Sequence, residues 1–330
     1  MQSVMRGGSA ARPQPEGLSF PEFFEIARRE PIYVVLGVQG SGTNLLRRIL
    51  LGSFNFSFVQ DQSIVFNAAA KLGSAPEADA VQRQFDFVRS RVFPTTLTRK
   101  TQRLVRGNAS FEGIDRYFEP AAIQSGAEFA QFVYAYGAFS RGTYLMAIKS
   151  DDLWEHIDQI DAVLPNRRII LLTRDFRDNL LSITRKDFGP VEPLVAAQYV
   201  KERFAYYDAE FRRTPPEHRY HVRYEDLLEA PEAFLAGFRK HFGLEGDDQS
   251  PGIVDKSRIR RHNVKKWAGL DRRELAHCEA ILGDQLRAYG YLPECDPLVP
   301  GPSAWLLARS RDTVKRIPQK LGSVATRLRK

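Results

Sequence analysis

The stretch that most restricts the fold of this chain is IYVVLGVQGSGTNLLRRIL, residues 32–50. IYVVLGV is a β-branched and aliphatic run closed by glycine, the pattern of a strand buried on both faces of a parallel sheet. RIILLTR at residues 168–174 repeats the pattern, and RYHVRYEDL at residues 219–227 gives a third strand leaving through an acidic turn. Helical patterns lie between the strands, so the class is α/β with a mainly parallel central sheet flanked by helices.

The first strand runs into GVQGSGTN, residues 37–44, which has the G-x-x-x-x-G spacing of a triphosphate loop but carries Thr43 and Asn44 where Lys and Ser/Thr belong. A loop for a magnesium triphosphate is thereby under-equipped. What remains suits a phosphate without a metal: glycines for positive φ and close approach, helix-start amides, and the Ser41 and Thr43 hydroxyls. Gly37, Gln39, Gly40, Ser41, Gly42, Thr43 and Asn44 are the candidate binding residues. Alone, the same residues also suit a tight strand-to-helix turn with no ligand.

The end of the second strand separates two nucleotide readings. A magnesium NTPase places an Asp near this point to hold the ion, whereas RIILLTRDFRDNLLSITR places Arg174 there, with Ser182 eight residues on. A guanidinium fork and one hydroxyl can hold a phosphate jointly. The plainer alternative is that Arg174, Arg177 and Arg185 decorate a solvated helix start.

With these residues in view, the chain resembles the sulfotransferases that use 3′-phosphoadenosine 5′-phosphosulfate (PAPS). Ser41, Gly42 and Thr43 match the Ser-Gly-Thr of that family's 5′-phosphosulfate loop. Arg174, Asp175, Arg177, Asp178 and Ser182 match its R-D-P-R-D-x-x-x-S motif for the 3′-phosphate, with Phe176 in the proline position. Residues 224–244 and 265–291 resemble its C-terminal blocks, and between residues 50 and 147 the likeness is weak. The resemblance implies a P-loop-like three-layer fold and transfer of a sulfuryl group from PAPS, without a metal, to a hydroxyl of a glycan, glycolipid or small molecule.

The chain departs from that pattern at two points. The family carries Lys or Arg immediately before Ser-Gly-Thr, and here the position is Gly40; losing such a charge costs on the order of 10² to 10³ in rate if nothing replaces it. Lys149, Arg47 and Arg48 are the candidate replacements, and a binding-only relative that has lost catalysis is the alternative. The second departure is the base. LMAIKSDDLW, residues 145–154, offers Lys149 and Asp151 where cytosolic members have a Lys-Thr-His sequence, and Asp61 is a second carboxylate candidate. His156 reads as structural. Arg261 and Lys265, in SRIRRHNVKKW, are expected phosphate contacts, with a nearby aromatic to stack on adenine; a flexible charged loop is the alternative.

The organisation reads as a disordered lead-in over residues 1–17, a sulfotransferase domain over 18–300 with an acceptor-specificity insertion at 62–131, and a basic amphipathic tail over 301–330. Net charge supports that division. Of the formal +8, the segment from Trp305 to Lys330 supplies eight basic residues against Asp312 alone, so the rest of the chain is near neutral and a nucleic-acid-binding body is not expected. Val314, Ile317, Leu321, Val324 and Leu328 make one apolar stripe in the tail, interrupted by Pro318, so a broken or kinked helix is expected. It suits either an anionic membrane surface or packing on the body or a second subunit. Two cysteines, Cys278 and Cys295, and no apolar leader in the first residues favour a cytoplasmic protein without a disulfide framework.

Overall fold

The structure is a computed structural model that describes residues 14–59, 62–92, 109–150, 152–187, 189–244 and 264–328, with backbone alone at 62 and 316–328. The main elements are α1 (Phe20–Ala27), β1 (Ile32–Leu36), α2 (Thr43–Phe54), β2 (Ser57–Phe58), α3 (Gln62–Leu72), α4 (Ala78–Val92), α5 (Gly126–Phe139) and β3 (Met146–Lys149). They continue as β4 (Arg167–Thr173), α6 (Phe176–Ile183), α7 (Pro193–Arg213), β5 (Arg219–Arg223), α8 (Pro231–Phe242), α9 (Arg272–Ala288) and α10 (Pro302–Leu328).

Five strands form one sheet in the order β2-β3-β1-β4-β5. β4 and β5 pair in parallel with Ile169 opposite Arg219 and Thr173 opposite Arg223, and β2 pairs in parallel with β3. All five residues of β1 are buried, as are the last five of β4, which is why both read as unbroken apolar runs. β1 and β4 are neighbours, and in such sheets ligands sit beyond the carboxyl ends of strands where the order reverses.

The chain divides into two compact units. The first comprises residues 1–32, 56–147 and 162–166. α1 starts at Ser19, whose backbone N–H and hydroxyl both donate to Glu22; these bonds hold the exposed Glu22 carboxyl below its ordinary pKa. Phe20 packs edge-on against Phe132, Tyr136 and Phe139, and Phe23 stacks on Tyr144 at 4.6 Å. The Gln131 amide donates to the Ala27 carbonyl at 2.7 Å, pinning the end of α1 to α5. α3 and α4 fall within the expected 62–131 insertion.

The second unit comprises residues 33–55, 148–161 and 167–330. In α2, Leu46, Ile49, Leu50, Ser53 and Phe54 are buried, a helical stripe that packs the helix down. Fully burying an aliphatic or aromatic side chain of this kind contributes about 1.5–3 kcal/mol. Phe242 of α8 meets Tyr33 edge-on at 5.2 Å, and Arg168 donates to both the Tyr33 hydroxyl and the Phe242 carbonyl. α9 is capped by Asp271, which accepts from the amides of Arg273 and Glu274. The side chain of Glu274 makes no return bond among the described residues, so the cap is one-sided.

α10 differs from the sequence expectation at Pro318. It runs from Pro302 to Leu328 as one helix, without a break at Pro318; one proline removes a single ladder bond, and the turns on either side carry the helix past it. The described start of the helix packs through polar side chains. Ala308 and Asp312 are buried, Asp312 accepts from the amides of Val191 and Glu192, and Lys315 pairs with Glu192 at 2.5 Å, whereas Val314 is 63% exposed. The start of the tail therefore docks on the residues leading into α7 through a polar seam.

Candidate functional site

The residues described next all belong to the second unit. β1 ends at Leu36 and α2 starts at Thr43, so residues 37–42 must reverse the chain within one short loop. Gly40 has φ of 90° and Gly42 has φ of 102°, values that L side chains rarely adopt. Space forbids a side chain at both as well. A Cβ at Gly40 would lie 2.8 Å from the Ser182 Cβ and 2.9 Å from the Asn179 amide nitrogen, and one at Gly42 would lie 2.3 Å from the Tyr224 ring. The absent loop cation thus has a local cause: α6 lies where its side chain would begin.

The loop opens onto the start of α2, whose first amides have no intrahelical acceptor. The Ser41 hydroxyl is buried and makes no hydrogen bond among the described residues. It sits over Gly37, where an added Cβ would come within 2.7 Å of it. A buried hydroxyl left unpaired beside a helix start is an arrangement that an oxyanion completes. Thr43 is buried in the same turn. Asn44 is exposed, and its carbonyl accepts from Arg48, so Arg48 folds back on its own helix.

The end of β4 and the start of α6 clamp this loop. Arg174 donates from Nη1 to the Gly40 carbonyl at 2.9 Å and to the Ser182 hydroxyl at 3.2 Å, and its guanidinium lies 4.6 Å from the Tyr224 ring centre. Asn179 donates to the Gln39 carbonyl at 2.5 Å. The structure therefore brings together the loop, Arg174 and Ser182, the pair chosen from sequence eight residues apart.

The other half of the motif turns away from the loop. Arg177 is buried, forks onto Asp175 at 2.9 and 2.8 Å, and meets Glu279 of α9 at 2.6 Å. Glu279, wholly buried, also accepts from the amides of Glu294 and Cys295. Asp178 accepts from the amides of Lys265, Lys266 and Trp267, and burial raises its carboxyl above the ordinary range. The Asp175 and Asp178 carboxylates thus hold the 265–267 segment in place.

That anchoring decides which lysine faces the site. Lys265 adopts φ of 58°, and its amide is spent on Asp178. Lys266, not Lys265, reaches the Ser182 hydroxyl, with Nζ at 2.9 Å. Burial first, then Arg174, pushes the Lys266 ammonium down to about 8, while Asp178 opposes the shift. The sequence signal was the adjacent lysine pair; the left-handed turn that selects the second was not legible. Trp267 is buried, donates to Asp175 at 3.0 Å and carries the Arg177 guanidinium 4.0 Å from its ring centre, so it serves the segment's anchoring.

Lys149 closes β3, half-buried. Gln39 spends its side chain on Asp152 at 3.4 Å and on the Tyr199 hydroxyl. Asp61, Asp151 and Arg261 lie outside the described residues.

A parallel α/β sheet whose first strand opens into a glycine loop at a helix start, clamped by an arginine from the neighbouring strand, belongs to the P-loop-like class. Within that class, a profile of the Sulfotransferase family matches residues 31–248, and the chain belongs to that family. Sulfuryl transfer is the activity this membership supports. Among solved structures, the chain is similar to the sulfotransferase domain from the curacin biosynthetic pathway, at 17% identity over 82% of this chain and 99% of that one, TM-score 0.48. It is also similar to the sulfotransferase domain of the Synechococcus PCC 7002 olefin synthase, at 17% identity over 80% and 95%, TM-score 0.49. A third similar structure is sulfotransferase STF9 from Mycobacterium avium, at 14% identity over 83% and 80%, TM-score 0.46. No curated protein matches the chain.

Proposed function

We propose that this protein transfers a sulfuryl group from PAPS to a hydroxyl of a glycan, glycolipid or small-molecule acceptor. The observation that carries the reading is the convergence of the buried Ser41 hydroxyl and helix-start amides with Arg174, Ser182 and Lys266 around one loop. Two oxyanion groups of one nucleotide suit these two halves. The loop amides with Ser41 and Thr43 would hold the 5′-phosphosulfate, and Arg174, Ser182 and Lys266 the 3′-phosphate. No metal enters this reading.

In the transfer, the acceptor oxygen bonds to sulfur while the bond from sulfur to the bridging 5′-phosphate oxygen breaks, its electron pair leaving with 3′-phosphoadenosine 5′-phosphate. The acceptor proton passes to a carboxylate, for which Asp151 and Asp61 are the candidates, with Lys149 beside the former. Lys149, at the end of β3, is our candidate for the charge that Gly40 lacks. Gly40 also favours a second reading, a non-catalytic adenosine-phosphate-binding relative.

A labelled-sulfate transfer screen from PAPS across hydroxyl acceptors separates the two. Label appearing in an acceptor, and lost with Arg174→Ala, supports the enzyme; tight nucleotide binding with no label in any acceptor supports the binder. We further place the protein in the cytoplasm with its basic tail on an anionic membrane, a reading supported by the exposed Leu306, Leu307 and Val314 beside the tail's arginines and lysines. Vesicle sedimentation unchanged by deletion of residues 305–330 contradicts it.

A further inference from the structure

One cation beside the loop is left unused by the reading above. Arg203, on α7, lies with its guanidinium 3.4 Å from the Tyr199 ring centre and 4.3 Å from that of Trp154. Both aromatics are half-buried, and Tyr206 extends the aromatic wall at 6.0 Å from Trp154. Arg203 makes no hydrogen bond or ion pair among the described residues, and its Nε is buried without a partner. A guanidinium covered by rings can bind only through its in-plane N–H edge, and that edge matches a planar carboxylate or a phosphate or sulfate ester. Leaving such a donor buried and unpaired is costly unless something completes it.

The place of this bracket says what would complete it. Tyr199 donates to the side chain of Gln39, which immediately precedes Gly40, and the same Gln39 amide reaches Asp152, two residues before Trp154. The bracket thus meets the loop at the Gln39 side chain, whereas Arg174 holds the loop at the Gly40 carbonyl. It also shares the 149–154 segment with Lys149 and the candidate base Asp151. An anion here would belong to the acceptor, not to the nucleotide.

We propose that Arg203, bracketed by Trp154 and Tyr199, is an acceptor-recognition residue, and that the acceptor carries an anionic carboxylate, phosphate or sulfate ester group in addition to the hydroxyl it presents. The inference rests on the sulfuryl-transfer reading of the loop, and its test keeps the two apart.

The full chain with ¹⁵N-labelled arginine is saturated with 3′-phosphoadenosine 5′-phosphate, and the Arg203 Nε–Hε resonance, assigned by its loss in Arg203→Gln, is followed against glucuronate, inorganic sulfate and glucose. Shifts with glucuronate or sulfate and none with glucose are expected. Arg203→Gln should bind those anions roughly tenfold or more weakly while its nucleotide affinity is kept. A resonance that ignores both anions, or answers glucose equally, overturns the proposal. So does a loss of nucleotide affinity in Arg203→Gln, which would make Arg203 part of the nucleotide site. Should the nucleotide itself fail to bind, the sulfotransfer reading falls, and the same titration without nucleotide still decides whether Arg203 holds an anion.

Discussion

Arg174 and Arg177 stand three residues apart in one motif, both buried, and they do opposite things. Arg177 is saturated by carboxylates, forked onto Asp175 and capped by Glu279, with Trp267 over its face. Among the described residues, Arg174 donates to neutral oxygens, the Gly40 carbonyl and the Ser182 hydroxyl, and pairs with Asp178 only at 3.9 Å. One arginine locks the frame and the other faces the loop. The arginines of such a motif are therefore told apart by what their carboxylate neighbours are doing, not by their spacing.

The largest effect expected from this division is on stability at Arg177. Arg177→Ala leaves Glu279 and Asp175 buried without their guanidinium, which should cost about 3–5 kcal/mol in urea unfolding. Any nucleotide weakening should follow from the displaced 265–267 segment. If Arg177→Ala is as stable as the parent, the frame role is wrong.

Arg174→Ala should do the reverse, weakening 3′-phosphoadenosine 5′-phosphate by about 1.5–3 kcal/mol, the range for a hydrogen bond to a charged group. Thermal unfolding of the nucleotide-free protein should change much less than in Arg177→Ala. Equal losses of stability in the two variants would erase the contrast.

Lys266 sharpens the loop side through pH. Arg174, Arg185 and Lys186 and the opposing carboxylate of Asp178 surround it, and its ammonium titrates at about 8 in the free protein, below its ordinary 10.5. It is charged below that pH and neutral above, so nucleotide affinity should fall as pH rises through about 8, and Lys266→Met should flatten the fall. The stability linkage has the opposite sign. Between about 8 and 10.5 the unfolded chain binds a proton that the folded protein does not, so stability gains with rising pH over that window, and Lys266→Met should abolish the gain.

The smallest effect concerns the helix that supplies Glu279. Asp271→Ala removes the cap of α9 and should cost about 1 kcal/mol in unfolding, with nucleotide affinity unchanged.

What the sequence revealed follows the same divide. β1, the glycine loop, and Arg174 with Ser182 were legible because each depends on local spacing: an apolar run, positive-φ positions, and one helix start. Lys266 was not, because the choice between two adjacent lysines is made by Asp178, 88 positions away from the amide it holds. Tyr224 was recognised within a block of resemblance, but its ring against Gly42 needs the tertiary approach of β5's exit to the loop. The docking of the tail was not legible either: Asp312 accepts from the backbone amides of residues 191 and 192, 120 or more positions away.

The measurement closest to the central claim is calorimetry of the full chain with 3′-phosphoadenosine 5′-phosphate in chelator, set against ATP with magnesium. Tight binding of the bisphosphate without metal is expected, weakened by Arg174→Ala and by Ser182→Ala. Preference for magnesium ATP, or bisphosphate binding indifferent to both substitutions, contradicts it.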